Sequence, residues 1–81
     1  MTVLRLADPD LDFWVDVRLR QFDGRWLATA DLAGTPDVGV STERDLAVLL
    51  ALWSLGADVA RRMASRASAV LVGLELESVD R

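Results

Sequence analysis

Aspartates are the residues of this sequence whose type and spacing come nearest to a chemical site. Asp8, Asp10 and Asp12 alternate along DPDLD as calcium ligands do, but the glycine and closing glutamate of an EF-hand loop are missing. Asp16 and Asp31 resemble an acid–base pair on facing strands. The sequence contains neither histidine nor cysteine, so no imidazole or thiolate accompanies these carboxylates. We therefore predict no catalytic residue, no metal site and no cofactor.

A cluster of three arginines is the second candidate site. Arg61, Arg62 and Arg66 follow one another within two helical turns, and we place them in the last turns of a helix, where they complement its dipole. They also suit phosphate recognition. Nucleic-acid affinity depends on neutralising phosphates, whereas the formal net charge of the chain is −4. Nucleic-acid binding through the Arg61–Arg66 cluster is therefore the alternative function, and a nucleic-acid partner is not expected.

Size and composition predict one small domain that needs support from another chain. The 81 residues, 52% of them hydrophobic, form a single domain spanning 1–81. A domain of this size buries only about 60% of the surface that its unfolded chain exposes, and no disulfide can be formed. Surplus apolar surface favours a homo-oligomer or a bound partner. No apolar run reaches the roughly 20 residues of a membrane span, so we expect a cytoplasmic protein without membrane contact.

A hairpin is the clearest local structure in the sequence. FWVDVRLRQ (13–21) alternates as a half-buried strand does, and the DG pair that follows it favours a type I′ turn. A two-residue loop places Val17 opposite Ala30 and Leu19 opposite Ala28. It also places Asp16 opposite Asp31, so that Arg18, a bulge or another register must relieve the repulsion between the two carboxylates.

The remaining elements complete an α+β order. AGTPD (33–37) predicts a turn, and VGVS after it a short third strand. A single long helix follows over 45–66, capped by Ser41 or Thr42, with capping-box spacing between Thr42 and Asp45. SAVLVGLELES (68–78) alternates as a fourth strand, with Val70, Val72, Leu74 and Leu76 on one face and Glu75 and Glu77 on the other. TVLRL at the N-terminus is a further strand or an arm. The predicted fold is β-β-β-α-β, an antiparallel sheet with one long helix packed on one face.

The long helix carries two apolar stripes where a surface helix needs one. We assign the first to the sheet; it consists of Leu46, Leu49, Leu50, Trp53, Ala57, Ala60 and Ala64. Val48, Leu52, Leu55 and Val59 belong to the second, which either packs under the first and last strands or forms a homodimer interface. We favour the dimer. Gly56 marks a kink or a close backbone contact, because glycine costs about 1 kcal/mol in a helix interior.

The polar face of the hairpin is the candidate surface for another protein. By its parity in the strand, Trp14 lies on this face with Asp16, Arg18 and Asp31. An exposed tryptophan is a typical interface anchor; the alternative is that an N-terminal arm or a subunit edge covers it. Trp26 has the parity of Ala28 and Ala30 and is expected in the core.

Residues 13 to 55 combine several motifs in a fixed order. They are a strand, a DG hairpin, an aromatic residue two positions later, a DL-x-G turn, a G-x-S motif and an acidic helix start. The residues that form them are Asp23, Gly24, Trp26, Ala28, Asp31, Leu32, Gly34, Gly39, Ser41, Thr42 and Glu43. In this combination the segment is similar to the HicB-like antitoxin domain. The turn lacks the proline that is common in the family.

The resemblance implies a homo-oligomeric antitoxin that neutralises a small basic ribonuclease toxin. Many members of the family carry a C-terminal DNA-binding module and repress their own operon. Because this sequence stops at Arg81, directly after the predicted fourth strand, we expect no such module here. An orphan HicB-like domain of unknown partner is the open alternative to an antitoxin.

Overall fold

The computed structural model describes residues 2–10, 12–32 and 34–79, apart from the side chains of 75–79. Four strands are followed by two α-helices, with one short 3₁₀ turn between the helices. The strands are β1 (Thr2–Asp8), β2 (Phe13–Phe22), β3 (Arg25–Leu32) and β4 (Thr35–Ser41). The helices are α1 (Arg44–Leu52) and α2 (Ala57–Val79), and the 3₁₀ turn covers Trp53–Leu55.

The sheet is an antiparallel meander in the order β1-β2-β3-β4. The predicted hairpin register is confirmed, since Val17 pairs with Ala30 and Leu19 with Ala28. Asp23 and Gly24 have φ angles of 51° and 74°, as a type I′ turn requires. The α+β class is therefore confirmed, and the N-terminal segment is a full edge strand.

The predicted strand over 68–78 is wrong, because this segment continues α2. Its apolar residues alternate over a few positions, but Ala60, Met63, Ala67 and Leu71 also form a stripe of helical period, and all four are buried. Alternation over a short apolar run does not distinguish a strand from a helix. Val70, Val72 and Leu74 are exposed, whereas the side chains of Glu75, Leu76 and Glu77 lie outside the described residues.

The predicted single long helix is instead two helices that meet at Gly56. This residue has φ 102° and ψ 146°, a conformation that is essentially restricted to glycine. The Gly56 N–H donates to the carbonyl oxygen of Trp53 at 3.1 Å, and the Gly56 carbonyl accepts from the N–H of Ala60 at 2.9 Å. The kink predicted at this glycine is thus a break between two separate helices. No helix within the described ranges is long and apolar enough to cross a membrane.

The predicted capping box does not form. Helix α1 begins at Arg44, and Glu43 occupies its N-cap position without a side-chain hydrogen bond to the helix. The Ser41 hydroxyl accepts the backbone N–H of Glu43 at 3.1 Å, so serine orders the entry to the helix from outside it. The turn predicted over 33–37 is shorter than expected, because β4 already begins at Thr35.

The core lies between the sheet and the two helices. Helix α1 packs over β3 and β4, and α2 packs over β1. Strand residues of one parity, among them Val15, Val17, Leu19, Ala28 and Ala30, face the helices and are buried. The half-buried Trp26 packs against this core. Because both helices cover the same side, no described element covers the other side of the sheet.

Candidate functional site

The uncovered side of the sheet is the surface that the fold leaves available. We call it the open face. Its side chains come from strand positions of the parity opposite to the core: Val3, Arg5, Ala7, Trp14, Asp16, Arg18, Arg20, Leu27, Thr29, Asp31, Val38 and Val40. All four partner residues predicted from the sequence, Trp14, Asp16, Arg18 and Asp31, lie on this face.

The two aspartates of the open face are each bound to an arginine. Arg5 lies directly opposite Asp16 and forms a two-point contact with it, Nε to Oδ1 at 2.8 Å and Nη2 to Oδ2 at 3.1 Å. Arg18 donates to Asp31 at 3.0 Å. The expected repulsion between Asp16 and Asp31 is therefore relieved from both sides, by the predicted Arg18 and also by an arginine of β1.

Hydrogen bonding within the Arg5–Asp16 pair changes the pKa of both groups. The bonds donated by the Arg5 guanidinium hold the pKa of the Asp16 carboxyl below its ordinary value, against a partial desolvation that raises it. Bonding to Asp16, reinforced by the charge attraction, raises the pKa of Arg5. Both ionised forms are thus favoured, so this pair fixes geometry and has no group poised to transfer a proton near neutral pH.

Trp14 is exposed yet held in position. Its side chain is 57% exposed, and the Arg5 guanidinium lies 4.3 Å from the centroid of its ring. Its cross-strand partner is the small residue Ala7. Arg5 therefore contacts both the Asp16 carboxylate and the Trp14 ring, which joins three residues of β1 and β2 into one ordered unit.

Apolar side chains and one small cleft surround this unit. Val3 on β1 and Val38 and Val40 on β4 are exposed. A cleft of about 170 Å³ near the hairpin is lined by Arg18, Arg20, Leu27 and Thr29. The open face thus combines an aromatic residue, ion-paired arginines and scattered aliphatic residues, a composition typical of protein interfaces.

The predicted oligomer interface on the helix is wrong for two of its four residues. Val48 and Leu52 are 1% and 0% exposed and belong to the core of the chain itself. Leu55 and Val59 are half-buried and pack against the same core. These four side chains lie in or against the chain's own core, so they do not form a free stripe.

The stripe assigned to the sheet faces outward only in part, since Leu49, Ala60 and Ala64 lie in or against the core. Leu46, Leu50 and Trp53 are exposed. A β-carbon at Gly39 would lie 2.6 Å from the backbone nitrogen of Ala51 and closer still to the carbonyl oxygen of Ala47. This close approach turns the alanine side of α1 towards the sheet. In the sequence, the small residues Ala47 and Ala51 together with Gly39 could have indicated which side of α1 lies against the sheet.

The arginine cluster does not form one basic patch. Arg62 lies 3.2 Å from Asp8 and 3.6 Å from Asp10, and Arg66 donates to the carbonyl oxygen of Ala7. Arg61 points elsewhere, with its guanidinium 5.7 Å from the centroid of the Trp53 ring. These arginines were predicted in the last turns of a helix, and this position is wrong, since α2 continues well beyond them to Val79.

Asp8 and Asp10 thus serve as partners of Arg62. Asp8 is 1% exposed, and its Oδ1 accepts the backbone N–H of Asp10 at 3.0 Å. Its Oδ2 faces Arg62 without hydrogen-bond geometry, so this contact is an ion pair only. No group of three or more potential metal ligands occurs among the described residues.

No protein-family model matches the chain, and no curated protein and no solved structure matches it.

Proposed function

We propose that this chain is a non-enzymatic protein-interaction domain that binds a protein partner through the open face. The observation that carries the proposal is the exposed Trp14, held by the Arg5 guanidinium at 4.3 Å. Tryptophan and arginine are enriched among the residues that dominate binding energies in interfaces. Here the two are neighbours on an uncovered sheet.

The side chains of Arg5, Trp14 and Asp16 are already ordered before a partner binds, which favours binding. Association costs free energy because flexible side chains lose their freedom, about 0.5–1.5 kcal/mol for each rotamer-rich side chain. Arg5 is already held by two contacts to Asp16 and by the ring of Trp14. A partner that covers Trp14 would therefore immobilise little that is still mobile. The exposed valines of β1 and β4 would extend the contact on either side.

The HicB-like resemblance supplies the specific form of this proposal, a homo-oligomeric antitoxin with a small basic ribonuclease toxin as partner. The net charge of −4 would attract a basic protein over a distance. On the open face itself Asp16 and Asp31 are paired with arginines, so the attraction would come from other acidic residues. A cytoplasmic location belongs to the same proposal.

Co-purification from the native host tests the proposal. The tagged chain, its Trp14→Ala variant and a Val70→Ala control are recovered in parallel, and the bound proteins are identified by mass spectrometry. Val70 is also exposed but lies on α2, outside the open face. We expect a stoichiometric companion that the wild type and the control retain and that Trp14→Ala loses.

The companion is then purified and its affinity for each variant measured by calorimetry. An anchoring residue is worth about 2 kcal/mol or more, so Trp14→Ala should weaken binding about 30-fold or more. Circular dichroism should show that Trp14→Ala remains folded. Its free energy of unfolding should fall by about 0.5–1 kcal/mol, the value of an exposed cation–π contact. A companion that binds Trp14→Ala as tightly as the wild type would refute the proposed surface. A small basic companion, toxic when expressed alone, would establish the antitoxin form.

A further inference from the structure

The helix side of the molecule carries a second apolar surface, opposite the open face. Leu46, Leu50 and Trp53 form an exposed ridge along α1 and the 3₁₀ turn that follows it. Beside this ridge an open groove of about 390 Å³ runs between α1 and α2. Its walls are Leu46 and Leu49 on one side and Ala64, Ser65 and Ser68 on the other. A ridge and a groove of one molecule thus lie side by side.

Opposite charges mark the two ends of this groove. Asp45, in the first turn of α1, accepts the hydroxyl of Ser68 at 3.1 Å. Arg61 stands beside Trp53, which follows the last residue of α1. Both Asp45 and Arg61 line the groove, so a carboxylate lies at one end and a guanidinium at the other.

We propose that the occupant of this groove is a second copy of the chain. A two-fold axis through this surface inserts the ridge of each copy into the groove of the other, as helix ridges pack into grooves elsewhere. The same axis reverses the direction of the groove between the copies, so Asp45 of one copy faces Arg61 of the other, twice. The surface is therefore complementary to itself in shape and in charge, which a closed two-fold interface requires.

A dimer would need only a modest share of the molecular surface. Stable interfaces bury about 800 Å² on each partner, which is roughly one seventh of the accessible surface of 5315 Å². The molecule measures 36 × 28 × 20 Å. This surface is separate from the open face, so each copy in the dimer keeps Trp14 exposed. The inference rests on the homo-oligomer of the proposed function and assigns a surface to it, whereas partner binding through Trp14 is tested separately.

Sedimentation velocity over a concentration series tests the dimer with the full chain. We expect a monomer–dimer equilibrium for the wild type. Leu50→Glu places a charge on the ridge and should raise the dissociation constant about 30-fold or more. Val70→Glu is the matched control: Val70 is equally a helical, exposed aliphatic residue, but helical periodicity places it on the side of α2 away from Ser68. It should leave the equilibrium unchanged.

Charge reversal separates this interface from any other. Asp45→Arg and Arg61→Asp each place like charges opposite one another in the dimer, so each variant alone should be monomeric. In an equimolar mixture the two variants restore both pairs of opposite charges, and a heterodimer should form with an affinity close to that of the wild type. Circular dichroism on each variant checks that it remains folded.

Three results would overturn the proposal. They are a wild-type chain that stays monomeric through the concentration series, a Leu50→Glu variant that dimerises as the wild type does, and a mixture of the two charge variants that remains monomeric. The last result would also assign any wild-type dimer to a different surface.

Discussion

Gly39 of β4 and Ala47 of α1 are in such close contact that a β-carbon on the glycine would overlap the alanine's carbonyl oxygen. The helix backbone rests on the strand at this point, and Ala47 and Ala51 face the sheet with no exposed surface. This contact sets the rotation of α1. It buries Val48 and Leu52 and turns Leu46 and Leu50 outward.

Gly39→Ala should therefore destabilise the protein. The added methyl group meets backbone atoms, including the Ala51 nitrogen at 2.6 Å, which move only if the whole helix shifts. Overpacking costs about 1–3 kcal/mol, and we expect the upper part of this range in the free energy of unfolding, measured by urea denaturation. Gly73→Ala is the control. It lies in α2 with no neighbouring atom within 4 Å and should stabilise by up to about 1 kcal/mol. Equal stability of Gly39→Ala and wild type would refute the close contact.

Gly56→Ala distinguishes two helices from one. In a continuous helix this change would add about 1 kcal/mol of stability. At φ 102° and ψ 146° an alanine is strained by about 1–3 kcal/mol, although no atom lies within 4 Å of its β-carbon. We expect a lower midpoint in thermal unfolding. A higher midpoint would mean that the chain does not turn at Gly56.

Arg62→Gln tests the buried carboxylate at the end of β1. Asp8 is almost fully buried, with Arg62 at 3.2 Å from its Oδ2. Removing the charge takes away the ion-pair partner of a buried carboxylate, and leaving a buried polar group uncompensated costs about 1–3 kcal/mol. Arg25→Gln, at the exposed hairpin end, should change the free energy of unfolding by no more than about 0.5 kcal/mol. Similar effects of the two variants in urea denaturation would contradict the role of Arg62.

Arg5→Gln should raise the pKa of Asp16 towards its ordinary value, because hydrogen bonding from Arg5 is the main cause of the lowered pKa. Carboxyl-carbon NMR titration measures this directly. Arg18→Gln is the matched control, since Arg18 binds Asp31, and it should leave the Asp16 titration where it is. An unchanged Asp16 pKa in Arg5→Gln would show that the pair is not formed in solution.

The same pair makes stability depend on pH with a definite sign. The folded state lowers the pKa of Asp16, so the unfolded chain takes up its proton first as the pH falls. The stabilisation by the pair is complete above the ordinary aspartate pKa of about 3.9. It is lost as the pH falls through the lowered pKa of Asp16. Wild type and Arg5→Gln should therefore converge in stability in strong acid. Urea denaturation across this pH range measures the convergence.

The sequence determined what depends on neighbouring residues. The alternation of Val15, Val17 and Leu19 defined β2, and Asp23 and Gly24 defined the turn and hence the register with β3. Alternation within β2 placed Trp14, Asp16 and Arg18 on the polar face, because side chains alternate between the two faces of a strand. The register added Asp31 of β3 to the same face. These features follow from steric rules that act within a few residues.

Tertiary structure decided the features for which the sequence pattern was ambiguous or the interacting residues were distant in the sequence. Val70, Val72 and Leu74 fit a strand and a helix equally in a short window, and the contact of Ala67 and Leu71 with the core selected the helix. Two apolar stripes competed for the sheet, and the close approach of Ala47 to Gly39 selected one of them. The ion pairs Arg5–Asp16 and Arg62–Asp8 join residues that are distant in the sequence, and only the fold brings them together. Packing area and charge pairing are sums over contacts between remote segments, so no local pattern in the sequence contains them.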